Sequence, residues 1–329
     1  MKKIMTLAAL VFVSALAQAA TFTIYTDRPT ARVQHVADLF KAQTGLSSVI
    51  VELPYKDLLQ KLKTEGDSSP ADVIFTKDIV YQAELAKLGF YQPMNMNKIS
   101  SVVDRSMRDT NNLWTAVTFR ARTLVYDPNV TDVSSIEKYE DLAKPEWAGR
   151  LCLRTSNNSY NETLVASFIH RLGYNEARSV LTGMVANLAT DVSKSDTALL
   201  ENIANGICDV GLANHYYLAQ LVAQKPNFPV RLKFLDQNGR GVHVNGSGVG
   251  IAKTSKSVAA SQKFIELLMT DSVQIYLSEA HFEYPAATHL LPTSLIKEWG
   301  TFKSDKANWT EIGLEAEKAK KLVKEVGYL

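Results

Sequence analysis

Thr21-Phe22-Thr23-Ile24-Tyr25-Thr26 decides the fold: it is a short run rich in β-branched and aromatic residues, left through Asp27-Arg28-Pro29-Thr30. Residues 30–43 then carry Val33, Val36, Ala37, Leu39 and Phe40 at helical spacing, which makes a β-α unit. Residues 49–53 repeat the strand signal, and residues 56–65 place Leu58, Leu59 and Leu62 on one helical face. Ala71-Asp72-Val73-Ile74-Phe75 reads as a buried strand. The order β-α-β-α-β predicts a mostly parallel sheet flanked by helices.

A second αβ set follows, with strands predicted at residues 123–126, 150–154 and 210–213 and helices at residues 162–171 and 196–205. Gly246-Ser247-Gly248-Val249-Gly250-Ile251 reads as a strand re-entering the first sheet, and residues 259–269 and 272–278 as helices beyond it. The expectation is a two-lobed α/β fold, each lobe a mixed, mostly parallel sheet flanked by helices. The N-terminal lobe would take residues 20–120 and 247–296, the C-terminal lobe residues 121–246 and 297–329. No tract rich in Pro, Gly or Ser separates these sets, so strand-like crossovers should form the hinge. Such a hinge permits closure, and paired parallel sheets place a ligand in the cleft outside their strand ends.

The start of the chain has the pattern of a secretory signal: Lys2 and Lys3, an apolar run over residues 4–16, then Ala17-Gln18-Ala19 as a cleavage site near Ala19. That run falls short of the roughly 20 apolar residues a membrane helix needs. Export to the periplasm is the expectation for residues 1–19 as signal peptide. The 36 basic and 34 acidic residues nearly balance, which argues against a nucleic-acid partner. Cys152 and Cys208 are the two cysteines, and an even count in an exported chain favours a disulfide, two buried thiols being the alternative. Their spacing is not that of a redox or zinc pair.

Gly211-Leu212-Ala213-Asn214-His215-Tyr216-Tyr217 places two phenols directly after an apolar strand, where a strand-to-helix turn would face a cleft. Converging hydroxyls there would make a hard anionic oxygen pair suited to a small, highly charged cation. Free tyrosine has a pKa near 10, but a bound metal competes with the proton. Ferric iron rewards this donor most, since Zn prefers Cys and His and Ca prefers carboxylates. From the pair alone, packing at a helix start is the competing explanation.

The chain resembles the periplasmic ferric-iron-binding proteins that feed ABC importers, relatives of transferrin in coordination chemistry. The resemblance runs through nearly the whole mature chain. It rests on Glu65-Gly66-Asp67-Ser68-Ser69-Pro70-Ala71-Asp72-Val73, Arg120-Ala121-Arg122, Trp147-Ala148-Gly149-Arg150, Ser159-Tyr160-Asn161, Asn214-His215-Tyr216-Tyr217 and Glu283-Tyr284-Pro285. It implies that Tyr160, Tyr216 and Tyr217 are Fe(III) ligands. It also puts Arg120 beside the iron, where a guanidinium would offset phenolate charge or hold a synergistic carbonate. An interlobe salt bridge is the other role open to Arg120. The implied partner is an inner-membrane ABC permease, and the protein is expected to act as a monomer.

The first lobe departs from the family pattern. Many relatives place a His, or His and Tyr, in the loop after the first strand, where this chain has Pro29 and Thr30. A Glu that some relatives contribute aligns near Lys56, between Tyr55 and Asp57. Tyr55 is therefore a candidate fourth ligand, and Arg28 with Arg120 are candidate anion partners. Three phenolates neutralise Fe(III), so an arginine there is useful chiefly if carbonate or another small anion also binds.

Among the histidines, His215 could orient a phenolate or point away, and His243 reads as a hinge residue. The segments around Gly239 and Gly246 lack P-loop or dinucleotide-binding context and read as turns and close backbone approaches. No catalytic constellation supports an enzyme. The alternative function is a binding protein of the same fold for an organic solute or oxyanion, with Arg28 and Arg120 as the clamp.

Overall fold

The computed structural model describes residues 21–292 and 295–328, so the expected signal peptide lies outside the described residues. The first half alternates as expected through β1 (Phe22–Thr26), α1 (Thr30–Thr44), β2 (Ser48–Glu52), α2 (Tyr55–Glu65) and β3 (Val73–Thr76), and continues into a helix not expected from the sequence, α3 (Ile79–Lys87). β1 lies between β2 and β3 and is parallel to both. Gly45 ends α1 in the left-handed conformation at φ 75°, its N–H returning to the Lys41 carbonyl. The buried faces of α1 and the sheet meet through Phe22, Phe40 and Phe264, whose rings lie 4.8 to 5.4 Å apart.

After the short β4 (Tyr91–Gln92) and α4 (Asn97–Ser100) comes β5 (Thr115–Tyr126), a 12-residue strand of which only the last third was expected. The second set follows as β6 (Leu151–Cys152), α5 (Ser159–Leu172), α6 (Tyr174–Ala186), α7 (Asp196–Ala204), β7 (Val210–Asn214), α8 (His215–Gln224) and β8 (Arg231–Lys233). The predicted strand at residues 150–154 contracts to Leu151–Cys152, with an isolated bridge from Arg154 to Ser193. The chain returns through β9 (Val244–Ala252), α9 (Val258–Leu268), α10 (Asp271–His281) and β10 (Tyr284–Pro285), and ends in α11 (Trp309–Leu314) and α12 (Ala316–Glu325).

The strand order is β2-β1-β3-β9-β5-β7-β6, and β5 is the element common to both halves. Thr115 to Ala121 pair antiparallel with β9, whereas Arg122 to Tyr126 pair antiparallel with β7. The crossovers are thus continuous strand, as the absence of a flexible tether implied. β9 is glycine-rich for a steric reason: a Cβ on Gly246 would run into the Thr118 carbonyl and the Trp309 indole. That is the close backbone approach read from the sequence. α11 packs chiefly on α3 and also touches α5, so the chain's last segment contacts both halves.

Cys152 and Cys208 form the expected disulfide, with Cα atoms 5.9 Å apart across a sequence separation of 56. A loop of that size corresponds to about 4 kcal/mol in the chain-entropy model. The bridge ties β6 to the turn that enters β7. Among the described residues no helix is long and apolar enough to cross a membrane.

Candidate functional site

Tyr160 sits in the first turn of α5, and Tyr216 and Tyr217 in the first turn of α8. Asn158 starts α5 by accepting the Tyr160 and Asn161 N–H groups at 3.1 and 3.2 Å. α8 begins where β7 ends, so Asn214-His215-Tyr216-Tyr217 makes the strand-to-helix turn expected of it.

The three phenols are neighbours: Tyr160 and Tyr217 both act electrostatically on Tyr216, and the rings of Tyr216 and Tyr217 lie 4.3 Å apart at 31°. Tyr216 is 4% exposed, and Tyr160 and Tyr217 are half-buried. Burial, with the neighbouring phenols, raises the Tyr216 pKa well above 10, and burial likewise raises that of Tyr217. Metal-free Tyr216 and Tyr217 therefore carry their protons at neutral pH. Among the described residues no group of three or more His, Cys, Asp or Glu is placed to hold a metal. Phenolic oxygen is the donor this site offers.

Arg120 lies against the trio with its guanidinium carbon 4.6 Å from the Tyr160 ring centroid. Its other contacts are to the loop before α3, donating to the Lys77 carbonyl at 2.6 Å and the Asp78 carboxylate at 3.0 Å. Arg120 thus touches a candidate ligand while its salt bridge goes to Asp78, a residue of the same expected lobe, so the pair is not the interlobe bridge weighed from the sequence. Asp78, fully buried, also caps α3 through Val80 N–H and accepts from Asn245 on β9 and Thr163 on α5. Thr163 lies one turn beyond Tyr160, so Asp78 joins the first sheet's side of the cleft to the helix bearing that phenol.

Arg28 is held elsewhere. Its guanidinium faces Glu283 at 3.4 Å and packs over Phe75. Burial pushes Glu283 up, but Arg28, Arg32 and Arg120 outweigh it and hold that carboxyl at about 2. Tyr55 is also not brought to the trio: its hydroxyl donates to Glu84 at 2.8 Å and its ring stacks on Tyr81 at 3.6 Å. Thr30, at a first-lobe ligand position of many relatives, bonds Glu52 through both its N–H and its hydroxyl.

His215 points away from the phenols. Its Nδ1 accepts the Ala121 N–H at 3.1 Å and its Nε2 donates to the Phe282 carbonyl at 2.7 Å. Burial lowers its pKa to about 4, so it stays neutral. His243 does lie at the crossover: its carbonyl accepts the Arg122 N–H and its own N–H reaches the Tyr139 hydroxyl.

Sequence reasoning missed Arg154, Asp78 and Asp196. Arg154 lies 5.4 Å from the Tyr160 ring centroid and interacts electrostatically with Tyr217. Asp196 caps nothing but receives Arg122 through both carboxylate oxygens, at 3.0 and 2.8 Å. An open cavity of about 640 Å³ adjoins the start of α5, lined by Ser156, Asn158, Ser159, Glu162 and Lys320 among others. A smaller cavity of about 260 Å³, lined by Phe119, Leu290 and Phe302 among others, lies apart from the phenols.

Comparison with known proteins follows the same lines. Residues 68–303 match the family model described as bacterial extracellular solute-binding protein. Iron uptake protein A1 of Synechocystis sp. is 34% identical over 295 residues, 88% of this chain and 82% of that protein. The major ferric iron-binding protein of Neisseria meningitidis is 26% identical over 94% of this chain and 93% of its own length. A Trichodesmium FutA structure in complex with iron and citrate superposes with TM-score 0.89 at 34% identity, covering 94% of this chain and all of that one. Apo ferric ion-binding protein A of Pasteurella haemolytica gives 0.85 at 32% identity, over 94% and 98% of the two chains. These are two-lobed binding-protein structures, and the chain belongs to the bacterial extracellular solute-binding protein family.

Proposed function

We propose that this protein captures Fe(III) through the phenolates of Tyr160, Tyr216 and Tyr217 in the cleft between its lobes and delivers it to an inner-membrane ABC importer. The observation that carries this reading is the gathering of three phenols in the first turns of α5 and α8, in a chain whose relatives are named for ferric iron. Carbonate or another small anion would complete the coordination sphere, as citrate accompanies iron in the Trichodesmium structure. The protein would work in the periplasm after cleavage near Ala19, as a monomer and without catalysing a reaction. The lobes would divide at residues 120/121, 246/247 and 296/297, with α11 of the last segment packing on both α3 and α5.

Protons compete with the metal for all three oxygens, so binding releases protons and acid releases iron. Reduction does the same, because Fe(II) is a weaker partner for phenolate. Ferric citrate added to apoprotein should produce a visible phenolate-to-iron charge-transfer band, lost on acidification or addition of dithionite. A colourless mixture, or colour surviving Tyr160→Phe, Tyr216→Phe and Tyr217→Phe together, sinks the proposal.

A further inference from the structure

The arginines around the phenols differ in how their charge is used. Arg120 is neutralised by Asp78, Arg122 by Asp196 and Arg28 by Glu283, at 3.0, 2.8 and 3.4 Å. Arg154 has only a distant carboxylate, Asp196 Oδ2 at 3.8 Å, and that carboxylate is already engaged by Arg122 and the Asn214 N–H. Buried Nε atoms without a partner occur in all of these arginines, but among the described residues only Arg154 also leaves a buried Nη1 unbonded. A shielded guanidinium nitrogen without an acceptor is costly, and the deficit is removed by an oxyanion.

The position of Arg154 fits that need. It follows β6 directly, anchored by the bridge from Arg154 to Ser193 and, two residues back, by the Cys152–Cys208 disulfide. Its guanidinium is within cation-π distance of Tyr160 and interacts electrostatically with Tyr217, so it stands beside two of the three candidate ligands. Three phenolates cancel the charge of Fe(III), and the local cation left over is Arg154.

We propose that Arg154, rather than Arg120 or Arg28, anchors the anion that completes the metal site, and that the anion is a small planar oxyanion, a carbonate or a carboxylate. This rests on the ferric reading above. The guanidinium donates to the anion's outer oxygens while its inner oxygens face the metal. Arg120 has a different task, holding the loop at Lys77 and Asp78 over the cleft.

The test uses apoprotein loaded stoichiometrically with ferric ammonium sulfate in bicarbonate-free buffer, titrated separately with bicarbonate, citrate and phosphate. The charge-transfer band and the rate of iron loss to EDTA are followed. Wild type should respond to bicarbonate or citrate at lower concentration than to phosphate. Arg154→Gln should still form the band but need about tenfold more anion and lose iron about tenfold faster, the effect of one hydrogen bond to a charged group. Arg154→Lys, which keeps charge but not the fork, should fall between, and it serves alone if the Gln variant does not fold. Arg28→Gln should titrate like wild type. An Arg154 variant matching wild type in anion response and iron loss overturns the assignment, as does a wild-type band indifferent to every anion. Absence of a band in wild type overturns the ferric reading itself, and this assignment with it.

Discussion

The two sides of the cleft are built for different work. The α5 and α8 side carries all three phenols and Arg154, stiffened by the disulfide behind β6. The α3 side brings Asp78 and the Lys77 carbonyl, which hold Arg120 against Tyr160, and Asp78 also accepts from the Thr163 hydroxyl. On the proposed function such a division would separate capture from retention: one side would make the bonds to the metal, and the other would govern how long they stay sheltered.

Asp78→Asn should break that division most visibly. It keeps an acceptor for Val80 and Thr163 but leaves the buried Arg120 without a counter-charge, at a cost of about 3 kcal/mol or more. Colour should still develop with ferric citrate, whereas iron loss to EDTA in stopped flow should quicken by roughly ten- to a hundredfold. Failure to develop colour at all would show that the α3 side takes part in capture.

Glu283→Gln probes the same side at a distance from the metal. The native carboxyl titrates at about 2 against an ordinary value of 4.5, which corresponds to about 3 kcal/mol. That stabilisation is complete above pH 4.5 and disappears as pH falls towards 2. Denaturant melts of wild type and variant should therefore differ by about that amount at pH 7 and converge near pH 2. A gap that persists in acid would mean that packing, not charge, is at stake. The smallest effect is expected for Tyr55→Phe, which loses one hydrogen bond to Glu84 and about 1 kcal/mol of stability. Its charge-transfer band should be superimposable on that of wild type. A shifted band would make Tyr55 a ligand after all and dissolve the contrast between the two sides.

Much of this was legible in the sequence, because apolar periodicity reports which faces are buried. β1 to β3 and the turn carrying Tyr216 and Tyr217 could be read from local pattern alone. β5 was read too short because Arg120 and Arg122 look like surface residues, and their burial depends on Asp78 and Asp196, 42 and 74 positions away. Arg154 was hidden for a related reason: its significance lies in a partner it lacks, and an absent hydrogen bond leaves no trace in residue spacing. Arg28 was visible as a cation near the cleft, but not its commitment to Glu283, 255 residues distant.

The single strand shared by both sheets has a consequence for assembly. Since β5 pairs with β9 up to Ala121 and with β7 from Arg122, its register in one sheet dictates its register in the other. A one-residue deletion near Ala121 would turn the remaining side chains to the opposite faces in whichever half slipped, exposing apolar residues and stranding one of the two buried arginines. The halves therefore cannot be aligned independently during folding. Errors in either propagate through this strand, which makes it the place where the molecule's cooperativity is decided.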